Sequence, residues 1–193
     1  MTGVMEDERR KQTEQKLIES GKAEFLKKGY AKANLRDICK AAGVTTGAFY
    51  FSFANKEALL AAILDPVIAD YERMCSMFAQ REEEDPGTAD DNERQIMEYL
   101  SAHRMEAIIL MDQCAGSRYE MFKPQIKLQM QEAFTSFFTK FMGRKPDAEL
   151  IRILVSMRLQ GYMELIKGDY TVDERVRMSR EIGIHADAGT EAL

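Results

Sequence analysis

Asn34-Leu-Arg-Asp-Ile-Cys-Lys-Ala-Ala-Gly-Val-Thr-Thr-Gly-Ala-Phe-Tyr-Phe-Ser-Phe-Ala-Asn-Lys-Glu-Ala-Leu-Leu60 is the stretch that decides how this chain folds. Asn34 suits an N-cap, because its side-chain oxygen accepts one of the N–H groups that a first helical turn leaves unpaired. Leu35, Ile38, Cys39 and Ala42 follow at i, i+3, i+4 and i+7, one face of a short helix, and Gly43 suits the left-handed residue that ends it. Thr45 or Thr46 caps a second short helix through Phe49 and Tyr50 to about Phe51. Asn55 caps another that begins Lys56-Glu-Ala-Leu-Leu.

Helical signals continue in both directions, and no segment alternates apolar and polar residues between hairpin turns. An all-α fold is therefore expected. Toward the N-terminus, a helix is predicted over 9–28, with Leu17, Ile18, Gly21 and Phe25 on one face and Gly29 as its stop. Toward the C-terminus, Leu60, Leu64, Val67, Tyr71, Met74 and Phe78 form a seam at helical spacing that extends to about Gln80, with a kink expected near Pro66. Residues 82–93 are acidic, contain Pro86-Gly87 and almost no apolar side chain, and are expected to be a linker. Further helices are predicted over 94–102, 104–115, 118–142, 147–168 and 171–184. Pro124 points to a start one turn later for the third of these, and Thr171-Val-Asp-Glu174 has the form of a capping box. The helix over 147–168 is apolar around most of its circumference and needs burial on more than one side, for which a subunit interface is a natural partner. The tail over 185–193 lacks periodicity and is expected to fray.

Two short helices separated by a glycine turn match the helix-turn-helix plan, in which the second helix enters the major groove with its N-terminal side chains on base edges. The wording goes further than the plan. The Ile-x-x-x-Ala-Gly-Val core from Ile38 to Val44, Gly47 two residues beyond Thr45, the Phe49-Tyr50 pair, and Phe53 followed by Asn55-Lys56-Glu57-x-Leu59 closely resemble the signature of the tetracycline-repressor (TetR) family. Phe25-Leu-Lys-Lys-Gly-Tyr30 is similar to that family's end of its first helix. The likeness is specific over roughly residues 10–65. Ser52 departs from it, standing where the family often has His, although a serine hydroxyl still donates to phosphate.

The resemblance implies a three-helix, DNA-binding head over 9–55 and an antiparallel helical body over 56–184 that binds an effector and dimerises. It implies a double-stranded operator, palindromic and bound by a homodimer, and a small-molecule effector of unknown identity that releases the repressor. Thr45, Thr46, Gly47 and Ala48 are the candidates for base edges, since threonine offers a hydroxyl and a methyl and Gly47 lets the backbone come close to DNA. Tyr50 and Lys56 match positions that touch phosphate in the family, Ser52 is a candidate for the same role, and Asn34 and Arg36 sit where the first of the two helices faces the DNA backbone. Asn34 and Thr45 have a second reading as caps alone, and Phe49 and Phe53 read as core. Family likeness also places an effector site among Tyr71, Arg104, Met111, Asp112, Arg118, Tyr119, Phe122 and Phe134, while the apolar surface of the helix over 147–168 points to a dimer interface at Ile151, Leu154, Val155, Tyr162 and Val176, where it and the helix over 171–184 pair with their symmetry mates as a four-helix bundle. Each of these body residues has ordinary packing or a surface ion pair as its alternative.

Charge fits a division of labour. The chain has a formal net charge of −5, yet residues 9–56 contain eleven Lys or Arg against four acids, a balance of +7 that leaves −12 for the rest. A basic head gains by releasing counterions from phosphate, and an acidic body has no such need. Hydrophobic residues make up 45% of the 193, enough for a sizeable core, and no apolar run approaches the roughly 20 residues a membrane span needs. The opening Met1-Thr-Gly-Val-Met-Glu-Asp-Glu has neither the basic end nor the apolar stretch of a secretory signal, so a cytoplasmic protein is expected. Cys39, Cys75 and Cys114 are too far apart for a zinc or redox motif and read as free thiols. Two histidines 82 residues apart, without a phosphate loop or nucleophile motif, leave little basis for an enzyme, and no cofactor or metal is expected. The alternative from another class is a helical protein–protein adaptor whose head does not bind DNA. Lys56 and Tyr50 beside a +7 head argue against it.

Overall fold

The computed structural model describes residues 2–84 and 89–191, and every regular element among them is α-helical. The order is α1 (Thr2–Lys28), α2 (Leu35–Ala42), α3 (Thr46–Ser52), α4 (Lys56–Glu84), α5 (Ala89–Ala102), α6 (Arg104–Asp112), α7 (Phe122–Met142), α8 (Ala148–Lys167) and α9 (Val172–Glu191).

Several ends differ from the sequence expectation. α1 starts at Thr2 rather than Arg9. Its first turns carry charge instead of an apolar stripe, and the i,i+4 pairs Lys11–Asp7 and Arg10–Glu14, both at 2.9 Å, support a helix that hydrophobic periodicity does not reveal. The expected acidic linker is largely helical too. α4 continues to Glu84 and α5 begins at Ala89, while residues 85–88, with the Pro-Gly pair, lie outside the described residues. Acids such as Asp91 near the start of α5 are favoured by the helix dipole, so acidity there does not signal a loop. α4 runs through Pro66 without a break in its helical assignment. α6 stops at Asp112 instead of 115, where Gly116 takes φ +80° and the Ser117 hydroxyl donates to the Cys114 carbonyl at 2.7 Å. α9 continues to Glu191, through most of the stretch expected to fray. Ala186 and Ala188 there are strong helix formers, a preference that periodicity does not register.

Packing groups the chain differently from a cut at residues 55/56. One compact unit comprises Met1–Glu72 with Met105–Glu120, and the other comprises Arg73–Arg104 with Met121–Leu193. The first therefore takes in the three N-terminal helices, the opening half of α4, and α6 with the loop that follows it.

In the first unit α1 packs on α2 and α3, and α2 on α3, around Leu17, Phe25, Ile38, Phe49, Leu59, Leu60 and Leu64, all fully buried. Gly21 sets the approach of α1 to α4, since a Cβ there would come within 2.9 Å of Leu59 Cδ2. The Ser20 hydroxyl donates to the Ile38 carbonyl at 2.7 Å and fastens α2 across α1. α6 is held to α1 by Lys22 and the buried Glu106, 2.7 Å apart.

The second unit has α7 on α8, α8 on α9 and α5 on α9. Phe138, Ile151 and Val155 form a buried cluster with Met130, Phe134 and Leu154 packed around it. Two arginines close the C-terminal end of α8, whose last carbonyls have no partner within the helix. Arg104 donates to the carbonyls of Ile166, at 2.6 Å, and Lys167, while Arg175 donates to those of Leu165 at 2.9 Å and Gly168 at 3.1 Å. The Thr171–Glu174 capping box forms as the sequence predicts: the Thr171 N–H donates to Glu174 Oε2 at 2.8 Å, and the Glu174 N–H donates to Thr171 Oγ1 at 3.3 Å. It holds the Glu174 carboxyl below the ordinary carboxylate value.

Candidate nucleic-acid interface

The surface of α3 is set by its buried side. Phe49 and Phe53, four residues apart, turn into the core of the first unit with ring centres 5.7 Å apart, as their spacing predicts. That fixes the roll of α3 and leaves Thr46, Gly47, Tyr50 and Phe51 outside. Tyr50 is 57% exposed and stands edge-on to Phe49, at 5.4 Å between ring centres. Ala48 and Ser52 are half-buried on the flank between the two faces.

Both short helices are capped at their N-termini. Asn34 Oδ1 accepts from the Arg36 N–H at 2.8 Å, and Thr45 Oγ1 accepts from the Ala48 N–H at 3.1 Å. Asn34 and Thr45 therefore fill the cap role, while both stay exposed beside Arg36 and Thr46. Gly43 sits between the helices at φ +68°, a conformation in which any side chain is strained, and a Cβ there would touch nothing. Beneath the turn, burial pushes the Cys39 thiol up, against a hydrogen bond from the Thr46 side chain.

Lys56 is anchored within the first unit. Its ammonium donates to the carbonyls of Tyr30 at 2.6 Å and Ala33 at 3.1 Å and lies 4.4 Å from the centre of the Tyr30 ring. Next to it, Glu57 accepts from the Tyr30 phenol and, at 2.8 Å, from the Arg118 N–H. Burial, then Glu57, pushes the Tyr30 phenol up to about 12. The Lys56-Glu57 pair thus ties the start of α4 to the loop between α1 and α2, and Lys56 by itself does not separate a DNA-binding head from an adaptor.

Other cations of the head are also engaged. Lys28 bridges Glu24 at 2.8 Å and Asp37 at 3.0 Å, which raises its pKa, while Arg36 and Lys40 are exposed on α2.

The eight residues expected at an effector site divide between the units. Tyr71, Met111, Asp112, Arg118 and Tyr119 belong to the first, and Arg104, Phe122 and Phe134 to the second. Arg118 and Tyr119 meet at Asp65 of α4: the Arg118 guanidinium is 2.5 Å from Asp65 Oδ2, and the Tyr119 phenol donates to Oδ1. Burial, then Asp65, pushes that phenol up to about 12. Arg104 is occupied at the end of α8 and Phe134 in the Phe138 cluster.

Their own chain covers the residues expected at a dimer interface to different degrees. Ile151 and Val155 are buried in the chain's own core, Leu154 packs against that core, and Tyr162 lies between Arg158 at 2.9 Å and Glu93 at 3.2 Å. Val176 is half-buried. The sequence shows that α8 is apolar all round, but which side its own chain covers depends on α7 and α9. The side left open carries Leu150, Ile153 and Met157.

A short capped helix, held on a buried pair of aromatic rings and presenting Thr46, Gly47, Tyr50 and Phe51 beside exposed cations, defines the head as a helix-turn-helix module. Residues 17–63 match the family described as bacterial regulatory proteins, tetR family. The chain is 35% identical over 79 residues to the HTH-type transcriptional regulator TtgR of Pseudomonas putida, covering 41% of this chain and 38% of that one. It is 49% identical over 47 residues to the probable acrEF/envCD operon repressor of Escherichia coli K12, 24% of this chain and 21% of that one. The matched stretch thus spans well under half the length of these relatives. Over the whole chain the likeness is one of fold. A transcriptional regulator of Aquifex aeolicus VF5 superposes with a TM-score of 0.56 at 22% identity, over 88% of this chain and 96% of that one. NalD of Pseudomonas aeruginosa, described as the secondary repressor of the MexAB-OprM multidrug efflux pump, gives 0.54 at 20% identity, over 93% and 97%.

Proposed function

We propose that the protein is a transcriptional repressor that binds a palindromic operator as a homodimer and releases it when a small-molecule effector binds. The observation that carries the DNA-binding part is the roll of α3: buried Phe49 and Phe53 leave Thr46, Gly47 and Tyr50 on one open face. Asn34, Arg36, Thr45, Ala48, Ser52 and Lys56 surround that face in the reading, with Thr46 and Gly47 toward bases and Tyr50 and Arg36 toward phosphates. Repression is supported by the relatives it matches in part, several of which are named as repressors. No helix among the described residues is long and apolar enough to cross a membrane, in keeping with a cytoplasmic regulator.

The homodimer is supported by α8. Leu150, Ile153 and Met157 stand at i, i+3 and i+7 on its open side, and Ile184 of α9 is exposed as well. A seven-residue α3 offers few contacts, and a two-fold pair doubles them on an operator of matching symmetry. Effector response is supported by α4, a continuous helix whose residues 56–72 fall in one unit and 73–84 in the other. A ligand that favours one arrangement of that helix changes DNA affinity by linkage, on a usual scale of about 1–3 kcal/mol.

Selection of duplexes from a random library by the full chain, followed by binding measured across salt concentrations, tests the reading. Enrichment of a palindrome whose affinity falls steeply with salt is the expected result, and absence of any enriched sequence would overturn it.

A further inference from the structure

Phe51 is 87% exposed, the most exposed large apolar side chain among the described residues, and it sits on the recognition helix. It belongs neither to the aromatic pair that anchors α3 nor to the polar positions assigned above. A phenyl ring this fully exposed leaves its apolar surface free to pack against a partner. We propose that Phe51 is a specificity residue, whose ring packs against the C5-methyl of a thymine in the major groove; this rests on the reading of the head as a DNA-binding module.

Placement is the first argument. Phe51 lies one turn beyond Gly47, on the same side of α3, and a Cβ at Gly47 would meet only Thr45 Oγ1, at 3.7 Å. The side-chain-free backbone lets a duplex approach closely at Gly47, and a ring one turn further along then reaches the groove floor. Chemistry is the second. A phenyl ring has no hydrogen-bonding atom for a phosphate and no charge, whereas the thymine methyl is the one apolar group that major-groove edges present. Tyr50, next to it, keeps a hydroxyl for the backbone, so the two neighbouring rings divide apolar and polar contacts between them.

The test uses the duplex enriched by the full chain, with each thymine replaced in turn by deoxyuracil, which removes only the methyl. For wild type, substitution at one thymine position in each half-site should lower affinity about four-fold per half-site, the worth of one buried methyl-sized group. Phe51→Ala, at a position too exposed to disturb the fold, should bind more weakly and lose sensitivity to uracil at that position alone, so that the two changes are not additive. Equal sensitivity of both proteins at every thymine, or a loss in the variant that is uniform across sequences, would overturn the proposal and assign the ring to sugar and phosphate. Failure of wild type to enrich any duplex would instead remove the DNA-binding reading on which it rests.

Discussion

The Lys56 ammonium lies 2.6 Å from the Tyr30 carbonyl oxygen and 4.4 Å from the centre of the same residue's ring. One lysine thus closes the loop between α1 and α2 from below and from the side, with the Ala33 carbonyl as a second acceptor. Lys56→Met keeps the length and removes the charge, so it should destabilise the first unit by about 2 kcal/mol, the scale of hydrogen bonds to a charged group. Urea denaturation followed by circular dichroism checks this. A variant as stable as wild type but weakened on DNA would make Lys56 a phosphate contact alone.

Lys22 and Glu106 predict an asymmetry. The Glu106 side chain is 9% exposed, and Lys22 is the ion partner described for it, whereas Lys22 also has Glu19 at 3.3 Å. Burial works against charge on Lys22, but its acidic partners outweigh it and hold the ammonium above the usual lysine value. Lys22→Met leaves a buried carboxylate unpaired and should cost about 3 kcal/mol, while Glu106→Gln leaves a paired lysine and should cost clearly less. Equal losses in thermal unfolding would contradict this account.

Much of the head is legible in the sequence because its signals are local. Asn34, Thr45 and Thr171 cap through atoms two or three residues away, Gly43 stops its helix by its own φ, and Phe49 and Phe53 share a face by spacing alone. What was not legible depends on distant partners. Nothing in residues 56 and 57 announces Tyr30 or Arg118, and nothing in 104 announces the end of α8. Ile151 and Leu150 are adjacent and equally apolar, and only the packing of α7 decides that one is buried and the other open. Phe51 gave no signal beside two other aromatic residues of the same helix that do form core.

Burial of Ile151 and Val155 in the chain's own core directs the dimer test to the open side of α8. Met157, 65% exposed, and Ile153, 43% exposed, can accept Glu without entering the chain's own core. Ile153→Glu with Met157→Glu should yield folded monomers in sedimentation velocity, whereas Val155→Glu should unfold the second unit by burying a charge. A double variant that sediments as the dimer would place the interface elsewhere.

Alkaline pH should weaken the first unit. Tyr30 and Tyr119 have phenols pushed up from 10.0 to about 12. The unfolded chain loses these protons first, so the stability they supply is complete below pH 10 and disappears between about pH 10 and 12. Tyr119→Phe removes one of the two groups and should flatten that decline, seen as a shallower loss of stability over the same interval. An unchanged profile would mean that Tyr119 ionises alike in both states.

The central claim is that the open face of α3 reads DNA sequence. The most direct measurement compares the affinity of wild type and Thr46→Ala for the selected palindrome and for a scrambled duplex, at several salt concentrations. The account predicts that wild type prefers the palindrome by about a thousand-fold or more, that affinity for both duplexes falls with salt, and that Thr46→Ala erodes the preference without changing the salt slope. Equal affinity of wild type for both duplexes would contradict it.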